Sequence, residues 1–573
     1  MKEPEIVTPS ELFKESARYK APIFQRYYVW GRKEWEGLAE DLETTDPDVG
    51  QFLGAIVLKD LGRPSGPTSP TTYLLIDGQQ RLTTLYLLFL ALAKEANDNG
   101  HPNDSAYVWQ NYLAEVKSPA YHGWPKLVPT LQDRHTFYRI LNQALPNAGW
   151  VTKEDPEDAN PQPSTKLRDQ WARIQKHVSA VTGSAADDFS KAKFDLLLKT
   201  VQEDQKLIAI TLEQHDDANA IFSRLNAKGV DLELADLVRN EVFSKFGPKD
   251  TSKADAFFEK TWQPFEKSIP ADALSAFFPI YAHIVFDGKV TKASAFAELQ
   301  KLWKNKQPNT IVSNLQKYSP FVAALSDYRS IPSLSKPIND QVERLSRMPR
   351  TRVTWPFLVQ VLRAASDGEL AAKNALRSLK IVESFLVRRA LCGQEPTGLH
   401  AVFKSLWEKT GGEPEEVIKK IITRTVTCPS DEELLAFLKK EPSDTRAILP
   451  YFLQEFEGHL IASKKYDPAP LDKGTIEHIL PKNLSKHWAK AVSGSEHLRT
   501  VRLIGNIAAL SERQNKSLKD QGWNEKRERF KGSNFKSTQQ LASKQSWAAT
   551  HIDARTSQMS KWAIDRWKAL GKI

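Results

Sequence analysis

The chain has 573 residues, too many for one ordinary core, so we expect two or three domains. Its formal net charge is +10, and its two cysteines, Cys392 and Cys428, exclude a disulfide framework beyond a single bridge. The N-terminus has no signal-peptide pattern and no apolar run is long enough for a bilayer, so we expect a soluble protein of the reducing cytoplasm.

Residues 1–243 combine short strand-like runs with helices and are predicted to form the first domain. Residues 52–58 and 72–76 are rich in β-branched and apolar residues, which predicts two strands. Proline, glycine and polar residues without periodicity predict loops over 61–71 and 146–164.

The second predicted strand leads into the sequence Asp77, Gly78, Gln79, Gln80 and Arg81, and leucines at helical spacing follow it. A strand-to-helix junction offers free backbone N–H groups and a helix dipole, which favour an anion, and an arginine there can clamp a phosphate. The alternative is a capped helix, in which Asp77 caps, Gly78 turns and the next three side chains are solvated. The chain contains no P-loop sequence, so a nucleotide site in it would be of another kind.

Residues 244–445 are predicted to form an almost entirely helical region. Segments such as 374–391 and 414–422 repeat apolar residues at helical spacing, and prolines separate them. We interpret Arg388 and Arg389 in this region as structural ion-pair partners. A helix from near Asp444 through Leu460 is predicted next, and we assign residues 446–573 to a third domain.

The excess of positive charge lies near the C-terminus. Residues 471–573 contain 20 Lys and Arg against 9 Asp and Glu, a net charge of +11 that leaves −1 for residues 1–470. A local excess of this kind is the expected footprint of a phosphate-binding domain, and a solvated basic surface is the alternative.

This basic segment contains the residue types that nuclease chemistry needs. A histidine can deprotonate water near neutral pH, and a hard divalent metal prefers oxygen ligands. We therefore predict His478 as the general base, Glu477 and Asn515 as ligands of Mg²⁺ or Mn²⁺, and Asn506 as the residue that orients the imidazole. Eight residues separate Asn506 from Asn515, which is typical of the HNH motif. That motif predicts a β-hairpin with His478 at the end of its first strand and Asn506 in its second, followed by a helix with Asn515. The alternative is that Glu477 and His478 are an ordinary surface pair and the asparagines are turn residues.

Both motifs resemble those of GmrSD-type (type IV) restriction enzymes. Residues 24–30 and 52–54 fit the N-terminal part of that family, and Lys526 and Trp547 fit its C-terminal part. The resemblance implies a ParB/sulfiredoxin-like domain that binds a nucleoside triphosphate (GTP, CTP, UTP or ATP) and a His-Me-finger nuclease domain in which Lys526 is a further catalytic residue. The residues expected to line the nucleotide site are Gln25, Arg26, Asp77, Gly78, Gln79, Gln80 and Arg81. Asn515 departs from the pattern, because many HNH enzymes have a histidine at that position.

The sequence thus predicts an α+β multidomain protein, predominantly helical, with a ParB/sulfiredoxin-like N-terminal domain, a helical middle and a ββα-metal nuclease domain. The expected function is a modification-dependent DNA endonuclease for antiphage defence that acts on modified phage DNA, and a homodimer would supply the two sites that cutting both strands needs. One alternative is a nucleotide-switched DNA-binding regulator with a decayed nuclease. Another is an NTPase whose nuclease domain nicks DNA or acts on RNA. Glucosylated or hydroxymethylated cytosine and phosphorothioate linkages remain open as the modification.

Overall fold

The computed structural model describes residues 3–573 apart from 23–24, 26, 47, 64–65, 118, 153–163, 187, 214–233, 247–250, 292, 395, 462–475 and 511–520. Contacts between residues divide the chain into two compact units, Met1–Thr261 and Trp262–Ile573. Helices predominate over small sheets, which confirms the predicted α+β class with a largely helical content. Among the described residues, no helix combines the length and the apolar character needed to cross a bilayer.

The N-terminal unit is built on a mixed β-sheet. Its strands are β1 (Glu5–Val7), β2 (Ala17–Lys20), β3 (Gln51–Asp60), β4 (Thr71–Asp77), β5 (Ala114–Glu115), β6 (Trp124–Pro125), β7 (Leu127–Val128) and β8 (Gln205–Leu212). Six of them form one sheet in the order β1-β8-β3-β4-β2-β7, and β5 pairs with β6 in a separate ribbon. The strands predicted over 52–58 and 72–76 are confirmed as β3 and β4, which pair antiparallel.

One long helix forms the centre of this unit. The helices are α1 (Pro9–Lys14), α2 (Arg32–Thr44), α3 (Gln79–Asp98), α4 (Pro102–Val108), α5 (Leu131–Ala144), α6 (Thr165–Thr182), α7 (Lys191–Lys199), α8 (Leu234–Phe243) and α9 (Thr251–Phe257). In α3 every residue from Leu82 to Ala93 is buried, not merely those of the predicted apolar face. A helix that is apolar all round is expected in the middle of a core, and α3 packs among the buried side chains of the other elements.

Helix α3 begins earlier than the leucine spacing predicts, at Gln79 instead of after Arg81. The residue before it, Gly78, has a φ of 88°, and a Cβ there would lie 2.5 Å from the side chain of Ile56. Glycine is therefore required at the point where the chain turns from β4 into the helix. The alternative with Asp77 as the cap and solvated glutamines is wrong, because Asp77 ends β4 and Gln79 and Gln80 are buried.

The described residues of the second unit form helices and one β-hairpin. Its helices before the hairpin are α10 (Gln263–Lys267), α11 (Ala271–Val285), α12 (Ala295–Trp303), α13 (Pro308–Gln316), α14 (Ser319–Ser326), α15 (Lys336–Arg347), α16 (Trp355–Ser366), α17 (Ala372–Leu391), α18 (Leu399–Phe403), α19 (Leu406–Thr410), α20 (Pro414–Ile421), α21 (Asp431–Lys440) and α22 (Leu449–Ile461). The segments predicted over 374–391 and 414–422 are confirmed as α17 and α20. Helix α22 starts later than the predicted beginning near Asp444.

The C-terminal part of this unit contains the hairpin and the helices that support it. Its elements are β9 (Ile476–His478), α23 (Gly494–Thr500), β10 (Ile507–Ala509), α24 (Trp523–Lys531), α25 (Lys536–Gln539) and α26 (Ala549–Arg566). Its last residues also contact the preceding helices. Arg388 of α17 donates to the carbonyl of Trp567 and pairs with Asp431 at 2.9 Å, which confirms its interpretation as a structural ion-pair partner.

Candidate active site

His478 lies at the end of β9, as the sequence predicts. Strands β9 and β10 pair antiparallel, with His478 opposite Ile507 and Glu477 opposite Ala508. Asn506 is not within the second strand as predicted, because it ends the single helical turn Ile504–Asn506 that leads into β10. Asn515, the other predicted metal ligand, lies outside the described residues.

Asn506 holds the chain immediately after His478. Its side chain is fully buried, accepts from the N–H of Leu480 at 2.8 Å and donates to the carbonyls of Leu480 at 2.9 Å and Val501 at 2.8 Å. Its own backbone carbonyl accepts from the N–H of Ile479 at 2.9 Å. Apart from a longer contact from the indole N–H of Trp547 at 3.4 Å, these contacts are with backbone, so Asn506 acts on His478 by fixing the backbone that follows it.

The hairpin is pressed closely against α26. A Cβ on Gly505 would lie 2.3 Å from the carbonyl oxygen of Ile552, so the turn before β10 requires a residue without a side chain. The buried Arg555 donates to the carbonyls of Gly505 at 2.9 Å and Ile507 at 2.6 Å. Burial lowers the pKa of Arg555 to about 10, which leaves it charged at neutral pH. The support of the site therefore comes from the C-terminal helix.

Glu477 is paired with a buried lysine from α24. The Nζ of Lys526 lies 2.5 Å from Oε1 of Glu477 and donates to the carbonyl of His478 at 2.8 Å. The Lys526 side chain is fully buried, and 12% of the Glu477 side chain is exposed. Burial raises the pKa of Glu477, although the charge of Lys526 opposes this shift.

A residue that the motif reasoning missed faces His478. The Nε2 of His478 lies 3.4 Å from Oδ2 of Asp444, whose side chain is completely buried. Asp444 also pairs with Arg502 at 2.9 Å and with Lys482 at 3.4 Å. Asp444 lies 34 positions before His478 in an irregular segment, so no local sequence signal could have identified it.

The electrostatics of this cluster leave the imidazole neutral. The pKa of His478 is lowered to about 4, chiefly by burial and also by the charge of Lys482, while Asp444 opposes the shift. Burial alone would raise the pKa of Asp444, but Arg502, His478 and Lys482 hold it below its ordinary value. A neutral imidazole can accept a proton, and it lies beside two cations whose side chains are 63% exposed for Lys482 and 46% for Arg502.

Of the two predicted metal ligands only Glu477 lies among the described residues, so an ion held there would take most of its ligands from water. In the part of the chain that the structure describes, no group of three or more His, Cys, Asp or Glu residues is placed to hold a metal. Glu477 offers a carboxylate beside the candidate base, and Mg²⁺ is often held by one or two carboxylates with several waters. An ion there would share this carboxylate with the ammonium of Lys526.

The predicted nucleotide-binding residues meet at the junction of β4 and α3, where their described hydrogen bonds go to backbone. Gln25 donates to the carbonyls of Leu75 at 2.8 Å and Ile76 at 2.7 Å. Gln80 accepts from the N–H of Val29 at 2.8 Å. Gln25 and Gln80 thus tie the segment before α2 to the sheet and the central helix. Arg26 lies outside the described residues.

Arg81 differs from these residues because it lines a cavity. Its guanidinium packs over Gly54, where a Cβ would lie 3.1 Å from it, and donates to the carbonyl of Ala55. The cavity has a volume of about 330 Å³ and is walled by α2, the start of β3 and α3. Its lining residues are Trp30, Lys33, Glu34, Gly37, Leu38, Asp41, Phe52, Leu53, Arg81 and Leu85.

Comparison with known proteins gives two family matches on this chain. Residues 9–243 match the model of the N-terminal domain of GmrSD restriction endonucleases. Residues 428–562 match the model of the C-terminal domain of GmrSD restriction endonucleases. The two matches together cover nearly two thirds of the chain and include both sites described above. No curated protein matches the chain.

Proposed function

Because the chain belongs to the GmrSD restriction endonuclease family, we propose that it is a modification-dependent DNA endonuclease of antiphage defence. We further propose that its second unit cuts DNA with a His-Me-finger (HNH-type) domain and that its first unit, as a ParB/sulfiredoxin-like domain, binds and hydrolyses a nucleoside triphosphate. The observation that carries the proposal is the position of His478 at the end of a hairpin, 3.4 Å from a buried carboxylate and close to the exposed cations Lys482 and Arg502.

The residues near His478 suggest how the phosphodiester bond is broken. The imidazole takes a proton from a water molecule as the water oxygen bonds to phosphorus. The phosphorus–oxygen ester bond breaks on the opposite side, and its electron pair leaves with the oxygen, which takes a proton from solvent. The cations Lys482 and Arg502 attract the phosphate. Asn506 holds the backbone of Leu480, and Lys526 holds the carbonyl of His478 and the carboxylate of Glu477.

We propose Glu477 and Asn515 as protein ligands of a divalent ion, Mg²⁺ or Mn²⁺. When bound, such an ion polarises the phosphate and stabilises the charge that develops on the leaving oxygen. We assign Lys526 a positioning role in place of the catalytic role that the family resemblance implies, because its side chain is fully buried and paired with Glu477.

The cavity beside Arg81 is the proposed place for the nucleotide. Trp30 and Phe52 offer aromatic faces to a base, and Lys33 and Arg81 offer cations to phosphates. A Lys33→Ala variant is expected to bind GTP, CTP, UTP or ATP more weakly in calorimetry. Arg32→Ala is the matched control, since Arg32 precedes it on α2, pairs with Glu36 and does not line the cavity. Equal affinities in the two variants would place the nucleotide elsewhere.

A cleavage assay tests the proposed chemistry. Wild-type protein and His478→Ala are incubated with unmodified and base-modified phage DNA, with Mg²⁺ or Mn²⁺, and with or without each nucleoside triphosphate. His487→Ala is the matched control, because His487 is exposed and lies nine positions further along the same segment. We expect wild type and His487→Ala to cut modified DNA and His478→Ala to be inactive.

Other results would favour the alternative functions. Binding of DNA without cleavage by the wild type would indicate a nucleotide-switched regulator. Nicked circles or cleaved RNA would indicate a nicking or RNA-directed enzyme of the same family. If His478→Ala still cleaves DNA, the active site does not lie at this hairpin.

A further inference from the structure

Two buried polar atoms face each other beside the candidate base. Nε2 of His478 and Oδ2 of Asp444 are both inaccessible to solvent, and among the described residues neither has an aligned hydrogen-bond partner. They lie 3.4 Å apart, slightly longer than a hydrogen bond. The Nζ of Lys482 lies at the same distance from Oδ2, but its side chain is 63% exposed and can be solvated, whereas a buried Nε2 without a partner costs free energy. Catalytic hydrogen bonds are often long without substrate and shorten when it binds.

The placement of Asp444 is itself firmly determined. Its other carboxylate oxygen, Oδ1, accepts from Nε of Arg502 at 2.9 Å. The neighbouring Ser443 donates its backbone N–H to the carbonyl of Arg502 at 2.9 Å. Arg502 therefore holds this segment twice, once through a side chain and once through the backbone. The carboxylate is fixed before substrate arrives, as a positioning group must be.

We propose that Asp444 is a positioning residue that holds the His478 imidazole with its proton on Nε2 and leaves Nδ1 as the nitrogen that accepts the proton from water. This inference rests on the proposed function, because it assigns a role within the same site. The carboxylate can only accept a hydrogen bond, so it selects the tautomer that carries a proton on Nε2. The lone pair then lies on Nδ1, which takes the water proton while the water oxygen bonds to phosphorus.

The Asp444→Asn variant tests this role with little change in volume. An amide can turn its NH₂ group toward Nε2 and favour the opposite tautomer, in which Nδ1 carries the proton and cannot act as a base. We expect kcat for cleavage of modified DNA to fall by about 100-fold, in line with the contribution of general base catalysis. KM and the affinity for DNA should stay within about twofold of the wild type, because the imidazole orientation matters to the reaction and not to binding.

Two further variants separate positioning from a merely structural effect. Asp553→Asn is the matched control: Asp553 also pairs with an arginine, Arg499 at 2.7 Å, but is 42% exposed and belongs to no part of the site. It should cleave DNA like the wild type. Arg502→Gln removes the arginine partner of Asp444 while keeping the carboxylate that faces His478. It should raise KM for DNA and also lower kcat, because Arg502 both supplies a cation near the site and fixes Asp444.

The outcomes distinguish the inference from the proposed function. If His478→Ala is inactive and Asp444→Asn has the kcat of the wild type, the positioning role is wrong and the proposed function stands. If His478→Ala cleaves normally, the proposed function itself is wrong. Asp444→Glu provides a second test should Asp444→Asn fail to fold: it retains the carboxylate and should recover part of kcat. A folded Asp444→Glu protein with activity no higher than His478→Ala would also overturn the positioning role.

Discussion

Replacement of Asn506 by alanine tests whether the segment after His478 is held by one buried side chain. The variant removes the partners of three buried backbone groups, the N–H and carbonyl of Leu480 and the carbonyl of Val501. Each buried group left without a partner costs about 1–3 kcal/mol, and such costs are not fully additive. We therefore expect Asn506→Ala to lower the free energy of unfolding of the second unit by about 3–5 kcal/mol.

Hydrogen exchange gives a local measurement of the same effect. The Leu480 amide donates directly to the Asn506 side chain, whereas the Ile479 amide donates to the Asn506 backbone and keeps that bond in the variant. A loss of about 3 kcal/mol corresponds to exchange about 100-fold faster at Leu480. Mass spectrometry of the peptide spanning 476–482 would report it, and cleavage of DNA should fall in parallel because His478 loses its fixed backbone.

Asn483→Ala is the control for this prediction. Asn483 is exposed and follows His478 by five positions, and its side chain makes none of the buried hydrogen bonds described here. If Asn506→Ala unfolds at the same denaturant concentration as Asn483→Ala and exchanges at the same rate over 476–482, the side chain of Asn506 does not hold this segment, and its predicted role at the site is wrong.

Three further variants test the packing and electrostatics of the second unit. Glu383→Gln removes the buried charge that pairs with Arg566 at 2.7 Å and should lower the free energy of unfolding by about 3 kcal/mol, measured by thermal denaturation. Gly505→Ala should destabilise the unit by about 2 kcal/mol in urea, because its Cβ would overlap a helix carbonyl, whereas Gly494→Ala meets nothing within 4 Å and should be nearly neutral. Burial lowers the pKa of His283 to about 4, so the unfolded chain, with an ordinary value near 6.5, takes up this proton first. Up to about 3 kcal/mol of stability present above pH 6.5 should then be lost as the pH falls toward 4, and His283→Gln should flatten that part of the stability profile.

Features encoded by neighbouring residues could be predicted from the sequence. The strands over 52–58 and 72–76 follow from local runs of β-branched and apolar residues, and helix α17 follows from its periodicity. The position of His478 at a strand end follows from the motif around it. In each case the determining residues lie within one element, so a local pattern contains the information.

Features that depend on tertiary contacts could not be predicted. Nothing in the sequence indicates that a nitrogen of Arg81 donates to the carbonyl of Ala55, a contact that exists because Gly54 leaves room for the guanidinium against β3. Gln80 is polar and follows a turn, which suggests a solvated side chain. It is instead buried, and its side-chain oxygen accepts a hydrogen bond from the N–H of Val29. Asp444 carries no motif at all, and its place beside His478 depends on the fold of the intervening chain.

Side chains on both sides of the predicted boundary between residues 445 and 446 support the site. Glu383 of α17 accepts hydrogen bonds from Tyr451 at 2.7 Å and from Trp567 at 2.8 Å, so one buried carboxylate joins the sequence regions 244–445 and 446–573. A fragment that starts at residue 446 would expose these aromatic side chains and leave Arg566 without this partner. It would also lack Asp444, which faces His478. The hairpin therefore depends on residues on both sides of this boundary, which lie together in the compact unit Trp262–Ile573.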